Sequence, residues 1–205
     1  MKKEKFVITI GRQRGSGGRK VGKELAQRFG IPYYDKEILT QAAEELEINE
    51  AFLHSMDEKA VGLFSQIYPA PYADATSFEY LPTSAELIGV QTRLIREFAA
   101  QGSCVIVGRC ADYFLADYPN CFNIFLHSDL KDRIINAAQT YHISTEEARR
   151  QIHKIDKERG QYYKNCTGNN WGNTANYDLS INTSRCGIEA AADLVEFYIR
   201  QNLGL

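Results

Sequence analysis

Residues 8–20 read Ile8-Thr9-Ile10-Gly11-Arg12-Gln13-Arg14-Gly15-Ser16-Gly17-Gly18-Arg19-Lys20, and Val21-Gly22-Lys23-Glu24-Leu25-Ala26-Gln27-Arg28-Phe29 follows directly. An apolar alternating run ends in a glycine-rich turn, which opens into a stretch with Val21, Leu25, Ala26 and Phe29 on one helical face. That is strand, glycine loop, helix. A loop without side-chain bulk lets backbone N–H groups converge on an anion, and the helix N-terminus adds the positive end of its dipole. Arg12, Arg14, Arg19 and Lys20 crowd the same place. The chemistry indicated is phosphate binding. Gly15, Ser16, Gly17 and Gly18 would supply backbone donors, and Arg19 and Lys20 the charge.

Working outward, strand one spans about 5–10, helix one 19–29 with Gly30 as its stop, and Ile31-Pro32-Tyr33-Tyr34-Asp35 forms a short second strand. Asp35 can cap a helix from Lys36 to about Leu46, and Asn49 a further helix to about Lys59. Residues 60–82 hold three prolines and five aromatics (Phe64, Tyr68, Tyr72, Phe78, Tyr80) and read as an insertion or flap. A long helix runs from Thr83 or Ser84 to about Gln101. Cys104-Val105-Ile106-Val107-Gly108 and Cys121-Phe122-Asn123-Ile124-Phe125-Leu126 are buried strands. Helices are expected at 129–140 and 144–164, the second opened by the capping box Ser144-Thr145-Glu146-Glu147. A polar loop (165–176), a fifth strand (177–182) and a closing helix (187–202) complete the chain. Strands alternating with helices imply a parallel sheet covered on both faces, with ligands at the carboxyl ends of its strands.

Composition narrows the function classes. The chain has 205 residues, 44% hydrophobic and 24% charged, with a formal net charge of −2. One α/β domain is expected, and nothing global points to a nucleic acid partner. The five cysteines include no CxxC pair and read as reduced thiols, Cys104 and Cys121 within strands. The basic N-terminus precedes too short an apolar run for a signal core or membrane span, so no membrane partner and a cytoplasmic location are expected.

Four segments resemble the cytidylate-kinase-like branch of the nucleoside-monophosphate kinases. They are ITIGRQRGSGGRKVGKELAQRFG, IPYYDKEIL, VIVGRCADYF, and FNIFLHSDLKDRI with the basic helix QIHKIDKERGQYYKN. The resemblance implies a P-loop NTPase-like α/β fold: a three-layer sandwich with a parallel five-stranded sheet in a single domain, with a flap at about 60–82 and a lid at about 144–170. It implies transfer of the ATP γ-phosphoryl group to a nucleoside monophosphate or similar small phosphorylated or hydroxyl acceptor, with Mg²⁺. It also implies site residues. Arg19, Lys20 and Arg159 are the catalytic candidates. Asp35, Arg93, Arg96, Arg109 and Asp112 are candidates for the acceptor, and Lys157 and Arg159 for the lid.

The loop departs from GxxxxGK[ST], in which the lysine reaches the β- and γ-phosphates and the Ser/Thr holds Mg²⁺. Counted without gaps, Gly18 takes the lysine position and Arg19 and Lys20 follow. Anchored on the last glycine, Arg19 replaces the lysine and Gln13 the first glycine. In both registers no Ser/Thr follows, and the third strand ends without a carboxylate. These gaps lead us to expect a rearranged metal site or lost catalysis. A second reading is thus a non-catalytic nucleotide- or phosphate-sensing protein on the same fold. A third is a dinucleotide-binding oxidoreductase, for which Lys20 stands where the third glycine of GxGxxG belongs.

Overall fold

Val7, Ile8 and Ile10 favour an extended backbone, and covering both faces of such a strand removes its side chains from water. In the computed structural model, which describes residues 5–46 and 84–204, they lie in β1 (Val7–Arg12), the central strand of a five-stranded sheet. β3 (Cys104–Val107) pairs with it in parallel on one side, with Ile10 opposite Val107. β4 (Cys121–His127) pairs on the other side, with Arg12 opposite Leu126. β2 (Tyr33–Tyr34) joins β3 and β5 (Leu179–Asn182) joins β4, both parallel. The order is β2-β3-β1-β4-β5. It differs from the 3-2-1 order of a dinucleotide-binding sheet, which removes the ground for the oxidoreductase reading.

Helices α1 (Gly18–Phe29) and α7 (Thr183–Leu203) cover one face. There Val21, Leu25, Val195 and Ile199 pack on Ile8, Ile10, Val105 and Ile124. α2 (Glu37–Glu45), α3 (Ser84–Gln101) and the short α4 (Ala111–Phe114) cover the other, where Ile38, Leu94, Ile95 and Phe98 meet Val7 and Ile106. α5 (Leu130–Tyr141) and α6 (Thr145–Thr167) form a pair joined by Ile134, Ala137, Ala148 and Ile152. The architecture is the P-loop NTPase-like three-layer sandwich expected. Among the described residues, no helix is long and apolar enough to cross a membrane.

Several boundaries move for local reasons. β1 runs two residues past the expected end because its ladder with β4 continues through Gly11 and Arg12. Asp35 does not cap α2: Lys36 is the N-cap without a side-chain bond, and the Asp35 carboxylate turns to arginines instead. Ser144 does cap α6, accepting from the Glu147 amide at 3.2 Å, but the Glu147 side chain goes to Arg150 and Gln151 rather than closing the box. α7 starts at Thr183, capped by Asn182, and breaks at Gly187 (φ 81°). The expected helix at 49–59 and the insertion at 60–82 lie outside the described residues.

Candidate functional site

The loop between β1 and α1 is held by its carbonyls. Arg159 of α6 donates to the Arg12 carbonyl at 2.9 Å, and Asn136 of α5 to that of Gly15 at 3.3 Å. Thr183 of α7 donates to the Ser16 carbonyl at 2.8 Å. The Gln13 amide donates to Leu126 of β4 at 3.0 Å, and the Arg14 amide to Asp156 of α6 at 2.8 Å. With the carbonyls turned outward, the amides of Gly15, Gly17, Gly18 and Arg19 find no acceptor among the described residues. Such a run of free amides at a helix N-terminus has the geometry that can take an anion. Gly15 must be glycine: its φ is +81°, and a Cβ would stand 2.5 Å from the Arg133 carbonyl oxygen.

Two cavities open along this loop. The first, of about 130 Å³, is lined by the loop from Arg12 to Lys20, by Asn136, Thr140 and Tyr141 of α5, and by Arg159. Ser16 does not line it; its hydroxyl donates to the Gln13 carbonyl at 2.9 Å behind the loop. Lys20 lines it from an exposed position, and the Arg14 guanidinium lies 3.7 Å above the Tyr141 ring. The second cavity, of about 40 Å³, is lined by Arg109, Cys110, Asp112, Tyr163, Trp171 and Tyr177 among others. Arg12 and Arg159 line both cavities.

Charge is unevenly shared here. Arg12, Arg14, Arg19 and Arg159 converge, and the carboxylates behind them are Asp35 and Asp156. Asp35 lies 2.6 Å from Arg19 and 3.4 Å from Arg12. Burial pushes its pKa up, but the two guanidinium groups outweigh burial and hold it below the usual carboxylate range. Asp156 is shared by Arg133 and Arg159. Burial lowers Arg12 to about 10 and pulls Arg159 down as well, and neighbouring arginines add to the fall in both: the charge here is poorly compensated. An anion in the first cavity would relieve that excess.

The second cavity is shaped by a left-handed turn. Gly108, Arg109 and Cys110 have φ of 77°, 58° and 54° in succession, a costly conformation for the two non-glycine residues that directs the chain sharply after β3. Arg109 lines the cavity at that turn. Tyr163 donates to Asp112 at 2.6 Å, and burial raises the Asp112 pKa. Trp171 packs edge-on against Phe125, with ring centroids 5.4 Å apart, and also faces this cavity.

Asp35, an acceptor candidate, lines neither cavity and sits against Arg12 and Arg19, and three further sequence candidates lie elsewhere. Arg93 pairs with Glu45 and Glu97, and Arg96 with Asp117 at 2.9 Å, on the exposed side of α3. Lys157 is exposed on α6 and lines neither cavity. Sequence reasoning gave no site role to Asp156 or Tyr163, although Ile152, Asp156, Arg159 and Tyr163 recur at helical spacing and mark one face of α6.

A magnesium ion needs oxygen donors, commonly one or two carboxylates besides substrate phosphates and water. Here Asp35 is committed to two arginines, Asp112 to Tyr163, and the Ser16 hydroxyl to a carbonyl. Among the described residues, no three His, Cys, Asp or Glu side chains gather to hold a metal ion. The donor set does not fit a magnesium ion held by the protein itself.

Residues 7–185 match the model of the cytidylate kinase-like family. A cytidylate kinase of Pyrococcus horikoshii is 26% identical over 197 residues, 96% of this chain and 89% of its own. The crystal structure of an uncharacterized protein from Eubacterium ventriosum superposes with a TM-score of 0.70 at 26% identity, over 95% of this chain and 98% of that one. A shikimate kinase from Bacteroides thetaiotaomicron superposes with a TM-score of 0.54 at 14% identity, over 98% of this chain and 100% of its own, a likeness of fold alone.

Proposed function

The chain belongs to the cytidylate kinase-like family, and we propose that it transfers the γ-phosphoryl group of ATP to a nucleoside monophosphate or similar small acceptor. The observation that carries this reading is the pair of cavities sharing a wall of Arg12 and Arg159. Phosphoryl transfer needs donor and acceptor in line, with positive charge between them; little covalent chemistry falls to the protein.

In this reading the first cavity takes the ATP phosphates. The free amides from Gly15 to Arg19, with the side chains of Arg19 and Lys20, face them. Arg109 holds the acceptor phosphate at the carboxyl end of β3, where an α/β sheet binds its ligand, and Asp112 with Tyr163 and Trp171 contacts the rest of the acceptor. An acceptor phosphate oxygen bonds to the γ-phosphorus while the bond from that phosphorus to the bridging oxygen breaks, and ADP leaves. Arg159 neutralises the charge that develops, as a cation borne by the lid helix α6. The family implies ATP and usually Mg²⁺ use; with the donor set found here, magnesium would depend on the ATP phosphates for its ligands.

The test is ADP formation from ATP with CMP, then with a panel of nucleoside monophosphates and small hydroxyl acceptors, in magnesium buffer. ADP and a phosphorylated acceptor are expected in equal amounts. The second reading, a nucleotide-sensing protein, is favoured by one observation: neither a Ser/Thr after the loop cation nor a carboxylate at the end of β3 is present. Tight nucleotide binding without turnover across the panel would establish it in place of the kinase.

A further inference from the structure

Gly18 stands where an ungapped count puts the lysine of a phosphate loop, and glycine brings no charge. The space it leaves is filled from the strand. A Cβ on Gly18 would lie 2.6 Å from Arg12 Cβ and 2.8 Å from Arg12 Cγ, so the arginine stem runs directly over this glycine. The head group lies over Gly108 at the end of β3, where an added Cβ would collide with Arg12 Nη1. Two glycines on separate elements thus form a groove shaped around one arginine. Arg12 Nη2 reaches Asp35 at 3.4 Å, and the side chain is 15% exposed.

We infer that Arg12 supplies the charge on the transferring phosphoryl group that a phosphate loop ordinarily takes from its lysine, the cation having moved from the helix to the end of β1. This rests on the phosphoryl-transfer reading above. The other loop cations are placed less well. Arg19 lies against Asp35 and Lys20 is exposed, and both line the first cavity alone. Arg12 comes from the sheet's central strand and faces both cavities, where the bond to the acceptor forms and the bond to ADP breaks. A guanidinium there can donate two parallel N–H bonds to the equatorial oxygens, which carry the charge in a loose transition state. Asp35 is then a positioning residue that fixes the guanidinium plane.

The experiment compares the wild type with Arg12→Met and Arg12→Lys. It reads kcat and KM for ATP and CMP, melting temperature, and the binding of an ATP analogue and of CMP by calorimetry. Arg12→Met is expected to lose about a thousandfold or more in kcat while its CMP affinity changes less than about threefold, and Arg12→Lys to recover part of the rate. A second measurement needs no variant: the crystal structure of the wild type with ADP, aluminium fluoride and CMP. Arg12 within about 3.2 Å of the fluoroaluminate is expected. A guanidinium turned away from it, or Arg12→Met turning over within about threefold of an active wild type, overturns the role of Arg12 and leaves the kinase standing. A wild type inactive on the whole acceptor panel overturns the kinase reading itself, and this inference with it.

Discussion

Arg28 and Arg12 are both arginines beside carboxylates, and their surroundings are opposite. Arg28, near the end of α1, meets Glu24 at 2.9 Å, Asp193 at 2.6 Å and Glu196 at 3.1 Å, and Arg200 shares Glu196 at 2.7 Å: three acids around two cations. The hydrogen bonds that Arg28 donates to its three acids, that to Asp193 first, hold its pKa above the ordinary value. Around Arg12 the balance reverses, with Arg14, Arg19 and Arg159 nearby and Asp35 and Asp156 as the acids behind them. There burial lowers the guanidinium instead. An arginine amid excess acid is a strut between α1 and α7. Arginines in excess, against free amides and an open cavity, are the receptor for an anion in the function proposed above. Counting arginines does not separate the two cases; the local surplus of sign and its burial do, because charge is poorly screened away from water.

That contrast can be broken or sharpened by substitution. Beside Arg12→Met, the largest expected effect is on Arg159→Met, which removes the other cation from the wall between the cavities. Steady-state kinetics should show kcat down by about a thousandfold, with CMP affinity little changed; a drop below tenfold would place the developing charge elsewhere. Asp35→Asn comes next. It leaves two guanidinium groups without their carboxylate and should cost about 3 kcal/mol at pH 7, toward the low end for a buried pair because Arg19 is partly exposed. The sign of its pH dependence is fixed. Asp35 titrates below its usual value in the folded chain, so its contribution is complete above the unfolded pKa and disappears as pH falls through the folded one. Denaturant titrations of wild type and Asp35→Asn should therefore begin to converge as pH falls below about 4 and meet below the folded pKa, and a gap that stays constant through that fall would show that the variant acts through something other than this charge.

Smaller effects follow. Arg19→Ala should weaken an ATP analogue by about ten- to thirtyfold, on the scale of one lost charge-assisted bond to phosphate, whereas Arg28→Ala should leave it within about twofold. Equal losses in calorimetry would erase the distinction between the two clusters. Smallest are Arg93→Ala and Arg96→Ala, expected to stay within about twofold in kcat/KM since both are exposed surface ion pairs. A tenfold fall in either would bring that face of α3 into the acceptor site.

Much of this was legible in the sequence. The valine and isoleucine runs gave the strands, Gly30 and Ser144 the helix limits, and the glycines from Gly15 to Gly18 the turn from β1 into α1. Arg109 and Arg159 were placed at the cleft by a buried strand end and a basic helix. The role of Arg12 was not legible, because it depends on a ladder that carries β1 to Leu126 of β4 and on glycines 6 and 96 positions away along the chain. Asp35 looked like a helix cap because aspartate before a helix usually is one. Its carboxylate is drawn away by two arginines that parallel crossovers bring beside it. Asp156 looked like part of a solvated charged face, since its Arg14 and Arg133 partners lie on other elements.

The central claim is that the two cavities joined at Arg12 and Arg159 are the donor and acceptor halves of one site. Calorimetry with adenosine and cytidine linked through five phosphates tests it most directly, because only adjoining and correctly oriented halves gain from the linkage. The account predicts binding at least about a hundredfold tighter than ADP or CMP alone, with the advantage lost in Arg12→Met. Affinity no better than that of ADP would contradict it.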